Sequence, residues 1–194
     1  GLARGEMLLV VGHSHNGKSQ VLYNSIVTAL LNTDAHILLF SPDEPRELVA
    51  QKLHCIAYGR NGEELEQQIK DGNEAVLEEV RSAARNLFDR ILINDGALVH
   101  QAGRGSGDRH KPATITAGKY GGEQEALAVL GVYRKRDDPS LSYLEKCYHS
   151  VSINVRVTKN KRPPNKLGDF EYFLCPHTGQ IRPYRDDDIP PDDR

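Results

Sequence analysis

The sequence lacks the features that would place a protein in a membrane or outside the cell. Its 194 residues contain no apolar run approaching the roughly 20 residues that a membrane-spanning helix needs. The first residues do not show a basic segment followed by an apolar stretch and a small-residue cleavage position, which is the pattern of a secretory signal. We therefore expect a soluble, cytoplasmic protein that does not bind membranes.

The sequence also has few cysteines and no excess of positive charge. The three cysteines are odd in number and widely separated, which excludes the paired spacing of a zinc site or a disulfide framework. The net charge of -2 weighs against a protein that coats nucleic acid through its whole surface. Basic residues instead gather locally, at 104–119 and 156–166.

The length and the order of apolar segments predict one α/β domain over residues 1–185. Continuous apolar runs are typical of strands buried in a parallel sheet, whereas apolar residues at helical spacing predict helices packed on that sheet. The predicted strands of this first half are 7–11, 37–40 and 91–93, and the predicted helices are 18–31, 45–58, 63–70 and 74–87. The fold class is therefore α/β, with a mostly parallel central sheet flanked by helices.

The second half of the chain is less regular. Residues 127–133 are either a strand or the end of a helix, while 151–158 alternate between apolar and polar residues, which predicts a half-exposed strand. A closing antiparallel hairpin is expected from 170–174 and 180–184, which flank a Pro- and Gly-containing turn. The acidic segment 186–194 is expected to be disordered.

One motif carries specific chemistry. Gly12-His13-Ser14-His15-Asn16-Gly17-Lys18-Ser19 matches the phosphate-binding P-loop, and it lies between a predicted strand and a predicted helix. Glycines let the backbone curl N–H groups around phosphate oxygens, and the helix adds its positive end. We expect Lys18 to reach the β- and γ-phosphates of ATP and Ser19 to bind Mg²⁺. The residues predicted to contact the nucleotide are Gly12, His15, Asn16, Gly17, Lys18, Ser19 and Gln20.

Beyond the P-loop, the chain resembles the C-terminal, RecA-like motor domain of DnaB-type replicative DNA helicases, especially bacteriophage versions. Phe40-Ser41-Pro42-Asp43-Glu44-Pro45 resembles the place where that family keeps a carboxylate that activates water. Either Asp43 or Glu44 could serve, and Asp43 is the closer positional match. A carboxylate at the end of a strand is suited to orienting a nucleophilic water. The alternative is that these residues cap the helix that begins near Pro45.

Two further stretches resemble the family's motifs for sensing nucleotide and binding DNA. His100-Gln101-Ala102-Gly103-Arg104 is similar to a motif in which Gln senses the γ-phosphate, which implies that role for Gln101. Tyr120-Gly121-Gly122-Glu123-Gln124-Glu125-Ala126 resembles the stretch just after the loop that grips single-stranded DNA. The resemblance implies that five residues bind DNA: Arg104, Lys119, Tyr120, Gly121 and Gly122. A solvated basic loop without a DNA-binding role is an open alternative.

The Lys-Asn-Lys-Arg segment at 159–162 resembles the hairpin that reaches a neighbouring subunit's ATP site. It has Lys161 at the family's Arg position, followed by Arg162. Either cation would stabilise charge developing on the γ-phosphate, whereas a basic surface hairpin is the alternative. The resemblance thus implies a homo-oligomer, in these relatives a hexameric ring, which moves 5′ to 3′ on single-stranded DNA and works with a primase or helicase loader.

The chain departs from the family pattern between 95 and 101. Such motors normally run strand, metal-positioning Asp, helix and strand before the Gln, yet only six positions separate Asp95 from Gln101. Either 91–95 stands in for that metal-positioning strand, with Asp95 as the Mg²⁺ residue, or the strand is missing, which is the interpretation we favour. Three hypotheses follow: a helicase motor, a RecA-like recombinase filament, and a nucleotide-binding assembly module without hydrolysis.

Overall fold

The computed structural model describes residues 6–12, 15–41, 43–94, 126–161 and 166–188. The chain divides into two compact units. The first contains Gly1–Ser19, Gln101–Leu174 and Ile181–Arg194, and the second contains Gln20–His100 and Cys175–Gln180. Strands and helices are numbered along the whole chain. The expectation of a single domain over 1–185 stays a prediction.

The first unit is built on a five-stranded sheet with strand order β1-β4-β5-β6-β7. Strand β1 pairs with β4 in parallel, and the other three ladders are antiparallel. The strands are β1 Leu8–Val11, β4 Ala128–Tyr133, β5 Ser152–Asn160, β6 Gly168–Leu174 and β7 Ile181–Arg182. The ambiguous segment 127–133 is therefore a strand, and the predicted closing hairpin is confirmed as β6 and β7.

This sheet is mixed rather than mostly parallel, which corrects the expectation from sequence. The connection from β5 to β6 spans only 161–167, and that from β6 to β7 only 175–180. Parallel neighbours need a crossover of a dozen or more residues, so such short connections give antiparallel pairs.

Strand β5 is less exposed than its alternating sequence predicts. Its first three residues, Ser152, Ile153 and Asn154, are all buried. The strand lies between β4 and β6, and the backbone oxygen of Ser152 accepts a hydrogen bond from the Arg134 guanidinium at 3.2 Å. Because both faces of β5 are covered at these three residues, the alternation of apolar and polar residues does not show which face packs into the core.

Helix α5, which the sequence analysis does not predict, spans Tyr143–Ser150 in the first unit. A capping box begins it, since the Glu145 backbone N–H donates to the Ser142 hydroxyl and the Ser142 N–H donates to the Glu145 carboxylate. None of its residues is buried, so it contributes no residue to the apolar core.

The second unit packs helices on a two-stranded parallel sheet. Strand β2 (Ile37–Phe40) pairs with β3 (Ile91–Asn94) in register, Ile37 opposite Ile91. The helices are α1 Lys18–Asn32, which begins in the first unit, α2 Arg46–Tyr58, α3 Gly62–Lys70 and α4 Glu74–Asn86. All four predicted helices of this half and both predicted strands are confirmed within a few residues.

One apolar cluster forms the core of the second unit. It joins the buried faces of α1 and α2 to strand β2 and the end of α4 through these residues: Tyr23, Ile26, Val27, Leu30, Leu39, Val49, Leu53, Ile56 and Leu87. Ile37, Ile91 and Ile93 pack against it from the sheet. These aliphatic positions recur at helical spacing in the sequence, which is why the helices could be predicted.

The ends of the helices follow local rules. Helix α2 ends at Gly59, which adopts the left-handed conformation with φ 64° that glycine allows without strain. Asn61 and Asn73 cap α3 and α4 by accepting hydrogen bonds from backbone N–H groups of the first turn. Among the described residues, no helix is long and apolar enough to cross a membrane.

The acidic segment after residue 185 begins with a 3-10 helix over Asp186–Asp188 rather than with disordered chain. Arg182 explains this, because its guanidinium donates to both carboxylate oxygens of Asp188. Residues 189–194 lie outside the described part of the chain.

Candidate functional site

The P-loop leaves strand β1 at Gly12, where a side chain has no room. A Cβ atom at Gly12 would lie 2.4 Å from the backbone oxygen of Val132 and 3.2 Å from Cγ of Lys18. Val132 belongs to β4, the parallel neighbour of β1, so Gly12 allows the loop to start in direct contact with the sheet. The first glycine of the motif is thus required by the space available.

Two residues in left-handed conformations curl the backbone of the loop. Gly17 has φ 86°, and His15 has φ 66°, although it carries a side chain. Asn16 between them is only 1% exposed, which places its side chain inside the protein, whereas His15 is exposed. His13 and Ser14 lie outside the described residues. The order of strand, curled loop and helix is the one that phosphate binding needs.

Lys18 and Ser19 are the first two residues of the 15-residue helix α1. The first turn of α1 contains no acidic residue, so nothing there offsets the positive end of the helix. Helix N-termini with such an end bind phosphate through backbone N–H groups. Ser19 is exposed and Lys18 is half-buried, so a hydroxyl and an ammonium group stand at this end of the helix.

Gln20 has a structural partner within the second unit. Its side-chain amide and that of Asn24 both donate to the backbone oxygen of Gly179, the Asn24 bond measuring 2.9 Å. Gly179 has φ 72°, and a Cβ there would collide with the Gln20 amide nitrogen. The turn at Cys175–Gln180 is therefore attached to the first turns of α1. The predicted contact of Gln20 with the nucleotide stays a prediction.

The two candidate catalytic carboxylates at the end of β2 have different surroundings. Glu44 accepts a 2.8 Å hydrogen bond from the Tyr23 hydroxyl through Oε2 and a 2.6 Å ion pair from Lys52 Nζ through Oε1. Asp43 is exposed, and no side chain in the described part of the chain hydrogen-bonds to its carboxylate. Pro45 takes the N-cap of α2 without a side-chain hydrogen bond, so the Glu44 carboxylate is engaged elsewhere than in capping.

The partners of Glu44 are functional candidates that sequence reasoning missed. Burial of Tyr23 and its hydrogen bond to Glu44 raise the pKa of the phenol well above its ordinary value, so the hydroxyl remains a donor at all physiological pH values. Tyr23 is one of the buried residues of α1, and no sequence motif singles it out. Neither the Tyr23 hydroxyl nor the Lys52 ammonium group affects the spacing of apolar residues. The sequence pattern therefore gives no sign of their contacts with Glu44.

The remaining predicted site residues are placed only in part. Lys161 follows β5, is exposed, and donates its backbone N–H to the Leu127 oxygen at 3.0 Å. The other predicted residues lie outside the described part of the chain: Asp95, Gln101, Arg104, Lys119, Tyr120, Gly121, Gly122 and Arg162. Within the described ranges, no group of three or more His, Cys, Asp or Glu side chains could hold a metal ion by itself.

Comparison with known proteins bears on the fold. No protein-family model and no curated protein matches the chain. Among solved structures, a DnaB-like replicative helicase, determined together with its interactions with primase, is similar with a TM-score of 0.67 and 11% sequence identity. The match covers 93% of this chain and 57% of that one, so the chain spans less than two thirds of that helicase.

A second solved structure, that of an ATPase domain, is also similar. Its TM-score is 0.69 and the identity 12%, over 95% of this chain and 86% of that one. The chain therefore shares the α/β fold of these two structures, and the α/β fold class predicted from the sequence is confirmed.

Proposed function

We propose that the chain is the ATP-binding motor domain of a replicative DNA helicase, in which ATP hydrolysis drives movement along single-stranded DNA. The observation that carries this proposal is the P-loop. Gly12 passes against β4, Gly17 and His15 curl the backbone, and α1 begins at Lys18 without an acidic residue in its first turn. The fold shared with a DnaB-like helicase and with the second solved ATPase domain supports the same function.

Within this proposal, each residue of the loop has a distinct task. Lys18 binds the β- and γ-phosphates, and the backbone N–H groups at the start of α1 hold phosphate oxygens. Ser19 ligates Mg²⁺, which neutralises charge on the phosphates when it is bound. We assign activation of water to the carboxylate pair at Asp43 and Glu44 on the basis of the family resemblance.

Assembly and DNA binding complete the proposal. Lys161 or Arg162 would stabilise the γ-phosphate of a neighbouring copy, which makes hydrolysis depend on a ring, hexameric as in DnaB-type helicases. Gln101 would sense the γ-phosphate and Asp95 would position the metal ion. Arg104, Lys119 and the 120–122 segment would hold the DNA backbone without reading bases. Movement 5′ to 3′, a primase or loader partner and a cytoplasmic location belong to the same proposal.

The direct test compares the full chain with its Lys18→Ala variant. Binding of a fluorescent ATP analogue and phosphate release are measured with Mg²⁺, with and without single-stranded DNA. We expect Lys18→Ala to abolish DNA-stimulated phosphate release, whereas Lys146→Ala, at an exposed lysine of α5, should behave as the wild type. A folded wild-type chain that binds no ATP would refute the proposal.

A second candidate is an assembly module that binds nucleotide without hydrolysing it. The observation that favours it is the short spacing between Asp95 and Gln101, which leaves no room for the strand, helix and strand that precede the Gln in such motors. ATP binding without phosphate release in the wild type would select this candidate. Strand exchange without unwinding of a forked duplex would instead indicate a recombinase filament.

A further inference from the structure

The Glu44 side chain is held at both of its carboxylate oxygens. The Tyr23 hydroxyl of α1 donates to Oε2 at 2.8 Å, and the Lys52 ammonium of α2 donates to Oε1 at 2.6 Å. Tyr23 is only 3% exposed, so its hydroxyl would lose a charged acceptor that water does not readily replace if Glu44 moved away. Hydrogen bonds to charged groups are stronger than neutral ones, which favours the bound arrangement.

The backbone of the same turn is also held. The Ser41 hydroxyl donates to the backbone oxygen of Glu44 at 3.2 Å, and the Ser41 N–H donates to the Asn94 oxygen of β3 at 2.8 Å. Ser41 itself is buried. The turn that contains Asp43 is therefore fixed on one side to strand β3 and on the other to helices α1 and α2. We call the bonds of Tyr23, Lys52 and Ser41 to Glu44 the Glu44 clamp.

The two neighbouring carboxylates are suited to different tasks. A general base must accept a proton from water within hydrogen-bond reach. Both Glu44 oxygens already accept hydrogen bonds from protein donors, whereas the Asp43 carboxylate is exposed and receives none from the described side chains. Lys52 also offsets the negative charge of Glu44 beside Asp43.

We propose that Glu44 is a positioning residue, and that its clamp presents Asp43 as the carboxylate that activates water. This inference rests on the proposed ATPase function and assigns separate tasks to two residues that the sequence leaves as alternatives. It predicts that loss of the Asp43 charge removes ATP hydrolysis, whereas loss of one bond of the Glu44 clamp only shifts the geometry of the turn.

The test measures kcat and KM for DNA-stimulated phosphate release in the full chain and in matched variants. Asp43→Asn should lower kcat on the order of a hundredfold or more, since it removes a general base, while binding of the ATP analogue is retained. Glu44→Gln keeps an acceptor for Tyr23 and should lower kcat by less than about tenfold, with KM nearly unchanged. Glu47→Gln, at an exposed carboxylate on the first turn of α2, is the control.

A second variant makes the positioning role separable from a general loss of stability. Tyr23→Phe removes the donor to Glu44 and should lower kcat to the same degree as Glu44→Gln. Combining Tyr23→Phe with Glu44→Ala should be no worse than Glu44→Ala alone, because both changes remove the same hydrogen bond. Additive losses in the double variant would contradict the clamp.

The outcomes separate this inference from the proposed function. If the wild type hydrolyses ATP and Glu44→Gln is as inactive as Asp43→Asn, or if Asp43→Asn remains active, the inference is overturned while the ATPase function stands. If the folded wild type binds no ATP, the proposed function fails and the assignment of Asp43 fails with it. A wild type that binds ATP but releases no phosphate overturns the inference and leaves the binding module.

Discussion

Gly12→Ala tests whether the start of the P-loop is set by space rather than by backbone conformation. The added Cβ would lie 2.4 Å from the Val132 oxygen, and real Cβ contacts are essentially never below 3.0 Å. The contact must therefore open by about 0.6 Å, the difference between 3.0 and 2.4 Å. The atom in contact is the backbone oxygen of Val132, in a strand that is paired with β1. A change of side-chain rotamer therefore cannot relieve this contact.

The expected cost is that of overpacking, about 1–3 kcal/mol in the free energy of unfolding. The same displacement moves the loop that would hold the triphosphate. If half of that cost, about 0.5–1.5 kcal/mol, falls on the nucleotide-binding conformation, affinity drops by about two- to twelvefold, since about 1.4 kcal/mol corresponds to a factor of ten. Urea unfolding followed by circular dichroism measures the first quantity, and titration with a fluorescent ATP analogue measures the second.

Gly72→Ala is the matched control. Gly72 lies in the turn between α3 and α4 with φ 70°, and a Cβ there would meet no atom within 4 Å. Its cost comes from the left-handed backbone alone, about 1–2 kcal/mol, and it should leave affinity for the ATP analogue unchanged. If Gly12→Ala binds the analogue as tightly as the wild type does, the steric role assigned to Gly12 in the P-loop is wrong.

Two further predictions concern stability. The hydrogen bonds from Arg182 lower the pKa of Asp188 from 3.8 to about 2, so its stabilising contribution is present above the ordinary pKa and is lost as the pH falls towards 2. Asp188→Asn should accordingly flatten the fall of unfolding free energy between about pH 4 and pH 2, and an unchanged slope would contradict this. Ser142→Ala removes one half of the capping box of α5 and should cost about 1 kcal/mol locally. Hydrogen exchange should then quicken in the amides of α5 but not in those of α1, and equal protection in both forms would count against the cap.

The helices of the second unit could be predicted because the spacing of their apolar residues and the residues at their ends indicate the same helices. Helix α2 shows both signals, with a proline before its first residue and Gly59 at its left-handed end. Helix α5 shows only one. Its sequence begins with the capping box of Ser142 and Glu145, but the helix has only eight residues and none of them is buried, so it supplies no apolar core positions. The cap was the signal that could have found it.

The candidate site was predictable where its chemistry is local in sequence. The P-loop motif specifies residues that are consecutive, and the structure gives their backbone the expected curl. The different surroundings of Asp43 and Glu44 were not predictable, because Tyr23 and Lys52 lie 21 and 8 positions from Glu44 along the chain. Contacts of that kind depend on how α1 and α2 pack, which a single sequence does not display.

The turn that carries Asp43 depends on a small sheet. Strands β2 and β3 have four residues each, and one face of the pair packs into the apolar core. The other face leaves Leu38, Phe40 and Leu92 exposed at 56%, 49% and 67%, although parallel strands are normally covered on both faces. The hydrogen bond from Ser41 to Asn94 therefore joins the turn to a pair of strands, β2 and β3, that packs against the core on one face only. Bonds from two helices to Glu44 compensate for this, because they hold the turn through α1 and α2 as well as through β3.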